Sequence, residues 1–149
     1  MRLTSFTDFG LRALMRMAGE PDRPHSTAEI AAEFGISRNH LTKAIQTLAA
    51  AGIVETKRGT GGGAVLARRP DQLRLGDIVS VLERKSALVE CFQSGGGACA
   101  ITASCRLKAI LGSAQLRFLA DLNAHTLADC ALPGVTPVLA APGELTHER

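Results

Sequence analysis

Three of the four cysteines, Cys91, Cys99 and Cys105, fall within fifteen residues, separated by seven and then five positions in the stretch VECFQSGGGACAITASC. Cysteine is ordinarily buried as a small hydrophobe, and a Gly/Ala-rich stretch without helical or strand period is a poor place for that. Gly95, Gly96 and Gly97 instead let the backbone wrap around something. Three soft thiolates on one such loop suit an iron–sulfur cluster. Structural zinc sites commonly use pairs two to four residues apart, and no CxxC occurs here; a metal-free thiol switch and inert buried cysteines are the remaining readings. A four-iron cluster usually takes four protein ligands, so one must come from outside the loop. Cys130 has suitable chemistry, but within LADCALP it reads as a small buried residue closing a helix, and His125 reads as a satisfied interface histidine.

A second group of side chains with chemistry lies earlier in the chain. At about 100° per residue, Leu41, Ala44, Ile45 and Leu48 share one side of a helix, while Asn39, Thr42, Lys43 and Gln46 project from the other, joined by Arg38 and His40 at its start. Amide and cationic side chains of this kind reach base edges in a major groove, and Thr27 and Ser37 at helix starts can contact phosphate. For an isolated helix, such a face would mean only a solvated surface.

The neighbouring elements change that reading. Phe6, Phe9, Ala13, Leu14 and Met17 recur at three-to-four spacing, with Arg12 and Arg16 on other faces and Gly19 ending a first amphipathic helix. After EPDRPH, Ser26 and Glu29 have capping-box spacing, Ile30, Ala31 and Phe34 form the stripe of a short second helix, and Gly35 stops it. Ser37 is expected to cap the third, polar-faced helix. A short helix, a glycine turn and a helix with hydrogen-bonding side chains make a helix-turn-helix. IVETKRGTGGGAVLA then reads as strand, glycine tip, strand: a wing, with Lys57 and Arg58 ready to grip the adjacent DNA backbone.

Leu75, Ile78, Val79 and Leu82 mark a fourth helix packed on this head, and Leu107, Leu111, Ala114, Phe118 and Leu122 a long last helix. The head is too small to cover that last stripe, which is expected to pack against a second copy in a two-fold dimer. The expected fold is mainly α: a winged helix-turn-helix head with a small β-hairpin wing and a long C-terminal dimerisation helix. The division is 1–84 for the DNA-binding head, 85–106 for the cluster loop, 107–132 for the dimerisation helix and 133–149 for a disordered tail.

Composition sets the outer limits. One domain's worth of chain, 149 residues, is 46% hydrophobic but only 3% aromatic with no Trp or Tyr, so the core must be aliphatic, which favours helices. A net charge of +3 permits nucleic acid as partner without requiring it. The start, MRLTSFTDFGLRAL, is broken by charge rather than built as a secretory segment, and no apolar run approaches the roughly 18 residues of a membrane span. A soluble protein of the reducing cytoplasm, without a disulfide scaffold and without membrane contact, is the expectation. No nucleophile, base and orienting group fall together, and GTGGG lies in a hairpin rather than between strand and helix, so an enzyme is not expected.

Together, MRLTSFTDFGLRALM, SRNHLTKAIQTLAAAGIVETKRG, GTGGGAVLA, LRLGDIVSVLE and the three-cysteine loop resemble the NsrR/IscR family of winged-helix iron–sulfur transcription regulators, from Met1 to about Leu132. The likeness is nearest to the nitric-oxide-sensing repressors of the NsrR kind. It implies a homodimer in which Cys91, Cys99 and Cys105 of one chain and Asp8 of the other hold a [4Fe-4S] cluster. Double-stranded operator DNA would be released when nitric oxide acts on the cluster. Arg12, one turn after Asp8, would orient its carboxylate or balance charge. Regulators of the IscR kind carry a histidine two or three residues after the third cysteine as ligand to a [2Fe-2S] cluster; this chain has Arg106, Leu107 and Lys108 there, which weakens that alternative. A regulator of iron–sulfur biogenesis or redox state using the same cluster is the rival within the class. An electron-transfer protein and a structural zinc protein are the rivals outside it.

Overall fold

The computed structural model describes residues 2–134, and the expected tail of 133–149 lies almost wholly outside them. Five α-helices and a hairpin follow in order: α1 (Ser5–Gly19), α2 (Thr27–Phe34), α3 (Arg38–Ala50), β1 (Val54–Lys57), β2 (Gly63–Leu66), α4 (Leu75–Leu82) and α5 (Arg106–Leu122). Single 3-10 turns cover Pro70–Gln72, Glu90–Phe92 and Leu127–Cys130. This is a mainly helical winged-helix architecture, as the periodicity predicts. No helix among the described residues is long and apolar enough to cross a membrane.

The core is aliphatic. Leu14 and Met17 of α1, Ile30 of α2, Leu41 and Leu48 of α3 and Ile78 of α4 are wholly or almost wholly buried in one cluster. Each contributes about 1.5–3 kcal/mol by leaving water. Phe6, Phe9 and Phe34 lie only at its margin. The wing is antiparallel, with Val54 opposite Leu66 and Lys57 opposite Gly63, and a further bridge ties Ala64 to His25 in the α1–α2 linker.

Several local expectations are corrected. Arg16, off the apolar stripe, is nonetheless drawn inside: its side chain is 6% exposed, and its guanidinium donates to Glu20 (2.7 Å) and to Glu33 (3.1 Å), which binds the start of the linker to α2. The capping box of α2 is half made. Ser26 Oγ accepts from the Glu29 amide at 3.0 Å, but the Glu29 carboxylate turns to Arg23 (2.8 Å) instead of returning to the cap. Gly35 ends α2 in the left-handed region, φ 63°, as its lack of a Cβ permits. Ser37 occupies the N-cap of α3 but makes no capping hydrogen bond.

The last helix ends at Leu122 rather than continuing through 132. Asn123 stops it: its Oδ1 accepts the Asp77 amide and its Nδ2 donates to the Asp77 carboxylate, both at 3.0 Å, at the first turn of α4. The chain then reverses, pairs Thr126 with Arg74 and buries Leu127 completely in the head.

Candidate cluster loop and nucleic-acid interface

The loop between α4 and α5 is more ordered than its composition implies. Cys91 sits in the 3-10 turn Glu90–Phe92, Cys105 is the N-cap of α5, and between them Cys99 offers its carbonyl to the Thr102 amide (3.3 Å) and hydroxyl (2.9 Å). Glu90 closes the loop on itself. Its Oε1 accepts the Ala98 amide at 2.7 Å, and Gly97, at φ 65°, lies so close that a Cβ there would stand 2.8 Å from the Glu90 carbonyl oxygen. Phe92 rests against Gly112 of α5, leading the chain from the first thiol to the last helix.

All three thiols are half-buried and none is in a disulfide. Their donor chemistry fits an iron–sulfur cluster: soft, unpaired sulfur on a glycine-hinged loop. Within one described chain, however, no three or more Cys, His, Asp or Glu side chains gather closely enough to hold a metal ion. Cys130, the chemical alternative, is half-buried in the 3-10 turn Leu127–Cys130, and His125 is solvent-exposed in the single chain, 3.9 Å from Asp129.

Asp8 lies in the first turn of α1, and Arg12 grips both its carboxylate oxygens, Nε at 3.2 Å and Nη2 at 2.9 Å. The turn that presents Asp8 is itself anchored. Glu83, capping the C-terminal end of α4, accepts the Thr4 amide at 2.8 Å and the Thr4 hydroxyl at 2.9 Å. Burial pushes the Glu83 pKa up, yet donors from Thr7, Thr4 and Ser86 outweigh it and hold the group below the ordinary carboxylate range, so it stays charged. The start of α1 and the entrance of the cysteine loop thus share one carboxylate. Sequence reasoning missed Glu83 and Glu90; the only signal was an acidic residue at each end of the approach to Cys91.

On the other side of α1, α3 presents Arg38, Asn39, Lys43 and Gln46 to solvent. Two of the expected base-reading residues also make contacts with the protein itself at its surface. Thr42 donates its hydroxyl to the Arg38 carbonyl at 2.8 Å, which leaves a methyl group and an acceptor facing out, and His40 stacks on Phe9 at 6.4 Å between ring centres. That stack joins α3 to the residue after Asp8. Thr27 opens α2, Ser37 precedes α3 with its hydroxyl unused for capping, and Lys57 and Arg58 stand exposed where the wing turns into its glycines.

His25 fixes the wing to this surface. It is 1% exposed, its amide donates to the Ala64 carbonyl (2.9 Å) and its carbonyl accepts the Ala64 amide (2.8 Å). Arginine can only donate, so Nδ1 accepts from Arg23 (3.2 Å) and Nε2 donates to the Glu20 carbonyl (3.1 Å), which defines the neutral tautomer. Burial pushes the imidazole pKa below its usual value.

Against known proteins, a family model described as Rrf2, iron-dependent transcriptional regulator, matches residues 3–132. IscR of T. potens is 28% identical over 87% of this chain and 85% of its own, with a TM-score of 0.65. CymR (YrzC), the global cysteine regulator of B. subtilis, is 28% identical over 88% of this chain and 96% of its own, TM-score 0.65. CymR of Staphylococcus aureus, at 22% identity over 89% of this chain and 100% of its own, shares the fold with a TM-score of 0.65. The family is described as one of transcriptional regulators, and CymR (YrzC) of B. subtilis is itself titled a regulator.

Proposed function

The chain belongs to the Rrf2 family of transcriptional regulators, and from that premise we propose that it is a dimeric repressor whose hold on operator DNA is governed by nitric oxide through a [4Fe-4S] cluster. Regulators of this family bind DNA and are generally dimers. In this reading Cys91, Cys99 and Cys105 of one subunit and Asp8 of the other hold the cluster. The donor chemistry supports this reading: three half-buried thiols, none in a disulfide, lie on one loop, and a half-exposed carboxylate, Asp8, lies in the first turn of α1.

When bound, the cluster supplies a centre sensitive to nitric oxide, more labile at a hard carboxylate donor than at thiolate. The chain's own residues do the rest. Arg12 holds the Asp8 carboxylate in one orientation, Glu83 ties the turn carrying Asp8 to the head of the cysteine loop, and Glu90 sets the path from Cys91 to Cys99. A shift of α1 reaches α3 through the Phe9–His40 stack. Arg38, Asn39, His40, Thr42, Lys43 and Gln46 read the major groove, while Thr27, Ser37, Lys57 and Arg58 contact phosphate. Two such heads engage half-sites about 34 Å apart on a partly palindromic operator.

The observation that supports this most is that Glu83, at the end of α4 where the chain leaves for the three-thiol loop, holds Thr4 at the start of the helix that carries Asp8. The likeness to IscR of T. potens favours a second reading, a regulator of iron–sulfur biogenesis or redox state that uses the same thiols. Protein purified without oxygen is expected to be a brown dimer with about four irons per chain. Nitric oxide should lower its affinity for DNA more effectively than iron chelation or oxygen does; the reverse order selects the second reading. Pale, metal-poor protein that holds its promoter normally after all three thiols are changed to serine excludes both.

A further inference from the structure

A cleft of about 710 Å³ runs beside α3, between it and the C-terminal end of α4, with Thr4 and Phe6 at its edge. Three cations line it: Lys43 from the proposed base-reading helix, and Arg84 and Lys85 from the chain just past α4. Gln46, Thr47 and Ser86 add polar groups, and no carboxylate lines the cleft. Glu83, adjacent in sequence to Arg84, is not among the lining residues, and its carboxylate is held by donors from Thr4.

Among the described residues, ion pairs with a carboxylate engage Arg12, Arg16, Arg23 and Arg69 but none of the other arginines and lysines; what sets Lys43, Arg84 and Lys85 apart is that all three line one cleft. Arg84 and Lys85 are solvent-exposed. A basic residue at a helix C-terminus is favoured by the helix dipole alone, which accounts for two cations at the end of α4. It does not account for their lining, together with Lys43, a cleft that no carboxylate lines. Charge left uncompensated beside a groove-reading helix is the electrostatic footprint of a polyanion.

We propose that Arg84 and Lys85, which line the cleft together with the base-reading Lys43, form a second grip on the DNA phosphate backbone alongside α3, distinct from the contacts of the helix starts and the wing. The proposal rests on the DNA-binding reading above and extends it to α4. Phosphates carry no base identity, so this grip adds affinity without selecting sequence. Its position next to Glu83 also sets it one residue from the anchor of α1, so the cysteine loop begins where the backbone contact ends.

The test uses anaerobically purified full-length dimer, fluorescence anisotropy, and two duplexes of about 30 bp, one carrying its own promoter and one of mixed sequence. In R84A/K85A both affinities should fall by a similar factor, roughly tenfold at 0.1 M salt, and the plot of log affinity against log salt should flatten by about 1 to 2. R84K/K85R, which keeps the charge, should restore both. Gln46→Ala should instead narrow the gap between promoter and mixed sequence. Unchanged affinity and slope in R84A/K85A overturn the proposal, as does a loss that R84K/K85R fails to restore, which would trace it to packing at the end of α4. Retained DNA affinity together with a thermal shift by inorganic phosphate that R84A/K85A abolishes would assign the cleft to a small anion instead. Wild-type dimer that binds neither duplex overturns the DNA-binding reading itself, an outcome distinct from the others.

Discussion

Single residues decide how the wing is held. His25 is buried between the linker and β2, facing Arg23 and Arg16 on one side and Glu29 and the Glu20 carbonyl on the other. Burial is the main cause of its lowered pKa, with the two arginines adding to it. An unfolded chain, with a histidine pKa of about 6.5, therefore takes up a proton more readily than the folded one. The stabilisation is complete above that value and is lost as pH falls through the lower folded-state pKa. The melting temperature should fall between pH 7.5 and 5.5, and H25Q should flatten that slope; a wild-type profile that is level across this window would contradict the assignment. Glu20, Glu29 and Glu83, whose pKa values are all lowered, act in a separate window below about pH 4.5. At this scale the Asp8–Arg12 pair was legible from its four-residue spacing. The burial of Arg16 was not, because its acidic partner Glu33 lies seventeen residues on, in another helix.

Among the elements, the two helices of the reading unit start differently. Ser26 caps α2 with a hydrogen bond and Ser37 does not cap α3. Ser26→Ala should cost about 1 kcal/mol in urea unfolding, whereas Ser37→Ala should cost little and instead weaken DNA binding by removing a hydroxyl left for phosphate. Equal losses of stability in the two variants would remove the distinction. The junction of α4 and α5 is closer still. A Cβ on Gly76 would lie 2.2 Å from the Leu119 carbonyl oxygen and 2.6 Å from Asn123 Oδ1. Gly76→Ala must therefore push the helices apart, at a cost of about 1–3 kcal/mol, visible as a lowered urea midpoint and faster proteolysis of the 85–105 loop. Helix positions and the hairpin were readable from period and glycine placement. The end of α5 was not, since it is set by a contact of Asn123 with Asp77, forty-six residues away.

For the whole molecule, the outstanding feature is a last helix that packs on α4 along one side and leaves apolar side chains in water on another. No residue of α5 is buried in the single chain, and Leu107 (58%), Ile110 (63%) and Leu116 (69%) stand in water. Such a surface agrees with the proposed dimer. In sedimentation velocity the wild-type chain should run as a dimer and L107D/I110D as a monomer, with affinity for a two-half-site duplex reduced by about a hundredfold or more because one head must now hold alone. A monomeric wild type, or a variant that stays dimeric, would remove α5 from the interface.

From its sequence alone this chain is a helical, winged head with a polar reading face and a thiol-bearing loop, because hydrophobic period, cap residues and glycine turns are local and are written in consecutive positions. Folding decided which polar groups remain available: Thr42 and His40 are partly engaged, Arg16 is drawn inside, Glu83 joins α1 to the end of α4, and Arg84 and Lys85 line one cleft with Lys43. These are pairings between distant segments, and only packing of the helices against one another determines which side chains meet.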